Sequence, residues 1–163
     1  MRRSAWLLGL VGLVAGCGGG SPHFQRAAGW HVLWRHGELV AANVPLAPAD
    51  QSLSSPPSRT VAALPERGIV IWLSAIRRRG GAIDAKFPPV PLRVERAVAT
   101  DPPEGFFCAP AARPHCFEAG GSIRRMQARA AGWNLGATIF FGRDRPSPAQ
   151  IDAANAELAR LSL

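Results

Sequence analysis

Residues 69–76, IVIWLSAI, form an apolar run of strand length that is rich in β-branched side chains. Successive side chains of a strand point to opposite faces, so a strand with one wet face alternates apolar with polar residues. A run without that alternation needs cover on both faces. The segment is therefore expected as a central strand, with neighbours in its sheet and a packed layer on each side. A chain of 163 residues is long enough to supply those parts once, as a single domain. Apolar residues at 47% and charged residues at 18% agree with a folded body and exclude a disordered charged tail as the main content.

The neighbours are legible on either side. In GWHVLWRHGELVAANVP, Trp30, Val32 and Trp34 fall on one face and His31, Leu33 and Arg35 on the other. This predicts a strand that turns at His36-Gly37 into a second one from Leu39 to Val44. SIRRMQARA and WNLGATIFFG predict a hairpin through Ala131-Gly132, with Met126, Ala128 and Ala130 in one inward row and Trp133, Leu135, Ala137, Ile139 and Phe141 in the other. LRVERAVAT alternates well enough to predict a further strand. Between these, PLAPADQSLSSPPS reads as a long loop, Ser58 as the cap of a short helix RTVAAL, and Arg77-Arg78-Arg79-Gly80-Gly81 as an exposed turn that leads to no helix. The last element, PSPAQIDAANAELARLSL, has Ser147 as N-cap, Pro148 at the first helical position and Gln150 at the capping-box place. Ile151, Ala154, Leu158 and Leu161 share one helical face. The order β-β-α-β-β-β-β-α defines an α+β domain: a single antiparallel or mixed sheet of about six strands packed by a short helix and a C-terminal amphipathic helix.

The N-terminus carries a different kind of signal. Met1-Arg2-Arg3 is a positive start, and Ala5 to Gly16 is apolar on all faces. The apolar part is too short to span a bilayer, which takes roughly 20 residues. Val14-Ala15-Gly16-Cys17 resembles the lipobox of bacterial lipoproteins. That resemblance implies that residues 1–16 are a signal peptide cut off on export, that Cys17 becomes the acylated N-terminus, and that the protein sits on the extracytoplasmic face of the bacterial cell membrane. A cysteine suits the task because its thiolate is a strong nucleophile, able to take a diacylglyceryl group as a thioether. Two acyl chains anchor stably where one does not. Residues 17–28, opening with Gly18-Gly19-Gly20-Ser21-Pro22, then read as the lipidated cysteine and a flexible tether, and residues 29–163 as the extracytoplasmic domain. The chain looks like the small exported lipoproteins of high-GC bacteria, and its element order over residues 29–163 resembles the PsbP-like fold. Neither likeness implies an activity.

Assigning Cys17 to lipid leaves Cys108 and Cys116, which bracket the proline-bearing APAARPH. Outside the cytoplasm a disulfide is their expected state, and closing so short a loop contributes about 2.5 kcal/mol on a chain-entropy account. A metal site with His115, or unpaired or intermolecular thiols, are the alternatives; a zinc shell lacks its fourth ligand and a redox pair lacks the CxxC spacing.

The formal charge of +8 would suit nucleic acid, but the cations are scattered and the export signal argues against such a partner. All but one of the 19 basic residues are arginine, the exception being Lys86, a bias that GC-rich codons produce. The run Arg77, Arg78 and Arg79, with Arg124, Arg125 and Arg129, is expected to offer a contact for anionic lipid headgroups or wall polymers. For hydrolysis there is no G-x-S-x-G, and His23, His31, His36 and His115 show no ligand spacing. The acids sit beside turns or arginines, as in Glu66-Arg67 and Glu95-Arg96, and Trp30, Trp34, Trp72 and Trp133 read as core. No catalytic residue, metal ligand or cofactor is nominated. Two function classes follow: a non-enzymatic, membrane-anchored binding or structural domain of the cell envelope that meets a protein, lipid or polymer, or a small envelope hydrolase with a dispersed site.

Overall fold

A computed structural model of the chain describes residues 21–35, 37–52, 57–100 and 122–163. Its centre is a six-stranded antiparallel sheet in the order β2-β3-β4-β7-β6-β5. The strands are β2 (His31–Arg35), β3 (Glu38–Ala42), β4 (Ile69–Arg77), β5 (Val98–Ala99), β6 (Ser122–Ala130) and β7 (Trp133–Phe141). The apolar run lies at the middle as β4, paired along its whole length with β7 from Ile69↔Phe141 to Arg77↔Trp133. β6 and β7 form the expected hairpin. Ala131 and Gly132 turn it with φ of 46° and 82°, as a tight two-residue hairpin turn requires.

A second, two-stranded sheet joins the first and last described strands. In it β1 (His23–Phe24) pairs with β8 (Leu161–Ser162). The expectation of a single sheet is corrected by this pair, and so is the assignment of residues 22–28 to linker. Pro22 is buried and Phe24, only 4% exposed, belongs to the main core, so the packed body begins before Gly29. Leu161, expected on the last helix, lies in β8. The reason is local: the C-terminal helix ends at Leu158, and Gln25 N then donates to Arg160 O, drawing the next residues into strand pairing.

The strand alternation divides the core in two. On one face Leu39, Ala41, Ile69, Ile71, Leu73, Leu135, Ala137, Ile139 and Phe141 pack against Phe24 and against Ala154 and Leu158 of α4 (Pro148–Leu158). α4 starts as expected: Gln150 N donates to Ser147 Oγ at 3.3 Å and Ser147 N to Gln150 Oε1 at 3.0 Å. Its buried side is less apolar than the spacing suggests, since Gln150, Asn155 and Glu157 are buried beside Ala154 and Leu158. Gln150 and Asn155 hydrogen-bond outward, to Glu66 O and to Val94 N and Glu95.

Among the described residues the opposite face is covered at one end only. There Val40, Ala42, Val70, Phe140 and Ile123 pack against Val61 of α2 (Ser58–Ala62). Phe140 and Phe141, neighbours in sequence, are each fully buried on opposite faces, and each contributes about 2–3 kcal/mol. Ser58 is not the cap of α2 but its first residue, and no side chain caps from the N-cap position. That task falls to Asp50, in α1 (Pro48–Ser52), a helix in what reads from sequence as loop. Its carboxylate accepts from Arg59 N and Thr60 N.

Two more readings change. Gly80-Gly81 does lead into a helix, the single turn α3 (Ala82–Ala85), and LRVERAVAT yields a 3-10 turn at Val94–Arg96 followed by only two strand residues, β5. Val94 is drawn out of strand pairing because its N–H is taken by Asn155 of α4.

Candidate functional site

The half of the second face that no described helix covers holds a cleft of about 680 Å³, within the usual range for small-molecule sites. Two rungs of the sheet make its floor. One runs from Arg125 through Thr138 to Trp72, the other from Gln127 through Gly136 to Ser74. Gly136 has no side chain at the middle of its rung, which deepens the floor; a Cβ there would meet Ser74 Oγ at 3.0 Å. Ser74 Oγ is held by donation to Gly136 O at 3.3 Å. The wall is formed by Phe87 and Pro88 after α3, and by Arg96 and Val98 around β5. Pro88 O accepts from Arg129 N at 2.8 Å, which pins this segment along the edge of β6.

Asp84 sets the position of that wall. Buried in α3, it accepts from Asn134 Nδ2 at 2.6 Å, Gly80 N at 3.1 Å and Arg78 Nε at 3.2 Å. The Asn134 hydrogen bond is the main reason its pKa lies below the ordinary 3.8, with Arg78 and Gly80 adding to it against the opposing effect of burial. Phe87 N in turn donates to Asp84 O at 3.2 Å, so the carboxylate ties Phe87 to β7 through one residue.

Arg96 and Arg125 are the charges of the cleft. Among the described residues neither has an ion-pair or hydrogen-bond partner for its guanidinium, and no carboxylate or imidazole lines the cleft. The site therefore pairs two solvated cations with an aromatic ring from Trp72, the three hydroxyls of Ser74, Thr100 and Thr138, and the primary amide of Gln127.

The arginines expected as one anionic-surface contact are divided by the fold. Arg77 stacks on Trp133 with 5.0 Å from its guanidinium carbon to the ring centroid, Arg78 pairs with Asp84, and Arg79 is exposed beside them. Arg124 and Arg125 lie opposite Ile139 and Thr138, about 20 Å along β7 from Trp133 at roughly 3.3 Å per residue. As strand neighbours they also point to opposite faces, so Arg125 enters the cleft while Arg124 does not. Arg129 lies opposite Asn134, towards the Arg77 end.

Of the remaining residues named from sequence, Cys17, Cys108, Cys116, His36 and His115 lie outside the described residues. His31 is exposed and lines a smaller hollow of about 260 Å³ with Leu33, Leu46 and Gln51. Among the described residues no three His, Cys, Asp or Glu side chains converge on a metal position, and no helix is long and apolar enough to cross a membrane.

Sequence reading missed Ser74, Phe87, Arg96, Gln127 and Thr138 as a group. The available signal was the change along one face of β4 and β7, from Val70 and Phe140 to Ser74, Gly136 and Thr138: apolar where helix covers the sheet, small or polar where no described helix does. Comparison with protein-family models, with curated proteins and with solved structures finds no match for the chain.

Proposed function

We propose that this chain is a lipid-anchored, non-enzymatic binding domain on the extracytoplasmic face of the bacterial cell membrane, and that the cleft over Trp72, Gly136 and Thr138 is where it binds. The observation that carries the reading is the composition of that cleft. It pairs cationic and hydrogen-bonding side chains with an aromatic surface, a combination suited to recognising a ligand, and its described lining holds no carboxylate, imidazole or thiol.

The anchor rests on Val14-Ala15-Gly16-Cys17. The position of β1 gives the anchor a consequence. Four residues from Cys17 to Ser21 reach at most about 14 Å, so the body would ride close to the bilayer. The chain enters on the face that holds Phe24 and α4, while the cleft opens on the other face of the sheet. A ligand would thus be met on the side of the sheet away from the leash.

Fatty-acid labelling in a bacterial host tests the anchor. The wild-type protein should carry label in the membrane fraction and Cys17→Ala should carry none; equal labelling of the two refutes the anchored reading.

A further inference from the structure

We propose that the ligand of the cleft is a small organic anion with a flat apolar body, its carboxylate or comparable oxyanion held between Arg96 and Arg125 and its body lying over Trp72 beside Phe87. The proposal deepens the binding reading above and depends on the cleft being the binding site; it does not depend on the anchor.

The charge argument comes first. Two guanidinium groups line one cleft, and no carboxylate is among its described lining residues, so an anion that enters meets charge of the opposite sign only. Between them it gains charge-assisted hydrogen bonds, which guanidinium makes in pairs with planar oxyanions. The two cations come from different elements, Arg125 from the floor on β6 and Arg96 from the wall after the 3-10 turn, so they can approach one group from two directions.

Shape selects a molecule over a surface. A bilayer is flat and a concave floor recessed at Gly136 cannot meet it along its length, whereas one anionic group can enter. The aromatic ring of Trp72 on the floor and the Phe87 wall favour a planar apolar body, since aromatic faces pack on flat groups with little loss of conformational freedom. Ser74, Thr138 and Gln127 supply hydroxyl and amide groups that can orient polar substituents on that body. The volume accommodates a two-ring compound with such substituents.

Naphthalene-2-carboxylate serves as the probe, with naphthalene-2-carboxamide as its neutral match, added to the full-length protein and followed by calorimetry and by amide NMR shifts. The carboxylate should bind at least about tenfold more tightly than the carboxamide and shift the amide signals of Gly136 and Gln127. Arg125→Gln and Arg96→Gln should each weaken the carboxylate about tenfold or more and leave the carboxamide unchanged. Arg124→Gln, on the other face of the same strand, should change neither. Equal binding of the two probes, undiminished carboxylate binding in both cleft variants, or shifts that map away from β6 and β7 would overturn the proposal. So would shifts of the same signals by phosphatidylglycerol vesicles in place of the probe. Loss of Cys17 labelling specificity with probe binding intact would sink the anchor alone.

Discussion

The α1–α2 layer depends on one carboxylate, and its removal gives a large, calculable effect. Asp50 is 3% exposed; Oδ2 accepts from Thr60 N at 2.6 Å and Thr60 Oγ1 at 2.7 Å, and Oδ1 accepts from Arg59 N at 3.2 Å. Thr60 Oγ1 also accepts from Ala47 N at 2.9 Å, so the same group fixes the start of α1 relative to α2. Asp50→Ala removes the only cap that α2 has from a described side chain, worth about 1 kcal/mol, and strands the buried Thr60 N–H, worth about 2 kcal/mol more. A loss of about 3 kcal/mol should lower Tm by about 10 °C in a domain of this size. Asp50→Asn keeps one acceptor but turns an NH₂ towards a donor, so it should lose about 2 kcal/mol. Equilibrium urea denaturation of the purified protein, followed by tryptophan fluorescence, measures both. If Asp50→Ala lies within about 0.5 kcal/mol of wild type, the carboxylate is not what holds α2 on Val70 and Phe140, and the account of the covered half of the sheet fails.

Three further outcomes follow from particular contacts. Glu157 is fully buried, neither oxygen has a hydrogen-bond partner among the described residues, and its nearest cation is Arg160 Nε at 3.7 Å; burial raises its pKa above 4.5 against the weaker pull of Arg160. The native state then favours the protonated acid, so wild-type stability should fall as pH rises from 4.5 through the raised value. Glu157→Gln should remove that slope and gain about 1–2 kcal/mol at neutral pH; identical pH profiles by urea denaturation would contradict this. Asp84 has the opposite sign: its pKa is lowered, so its contribution is complete above 3.8 and is lost as pH falls through the lowered value. Acid titration followed at the Asn134 side-chain amide should show the cleft wall releasing in wild type, and Asp84→Asn should lack that transition. Finally, a Cβ at Gly142 would land on the Pro65 carbonyl oxygen, 2.6 Å from its carbon and 3.2 Å from Glu66 Cα, whereas one at Gly132 meets nothing. Gly142→Ala should therefore cost about 3 kcal/mol or more through backbone displacement, and Gly132→Ala, with its φ of 82°, about 1 kcal/mol; thermal melts that rank them in reverse would refute the packing at that corner.

What the sequence by itself determined is what neighbouring residues decide among themselves. The two-residue turn at Ala131-Gly132, the start of α4 at Ser147, Pro148 and Gln150, and the strand character of IVIWLSAI all follow from local conformational limits and from which side chains share a face. Those signals carry no information about which distant segment supplies a missing partner. Only the tertiary structure decided that β7 lies between β4 and β6, and hence that Trp72, Thr138 and Arg125 stand in one row. It also decided that Asp50 caps a helix it does not belong to, that β1 closes on β8, and that adjacent Arg124 and Arg125 part company across the sheet. The cleft itself has the same origin: α2 is short, its cover ends near Phe140, and no described helix covers the face of β4 and β7 beyond it. Local rules choose elements, but burial is shared between elements, and a site made from what one layer leaves uncovered exists only once all the layers are in place.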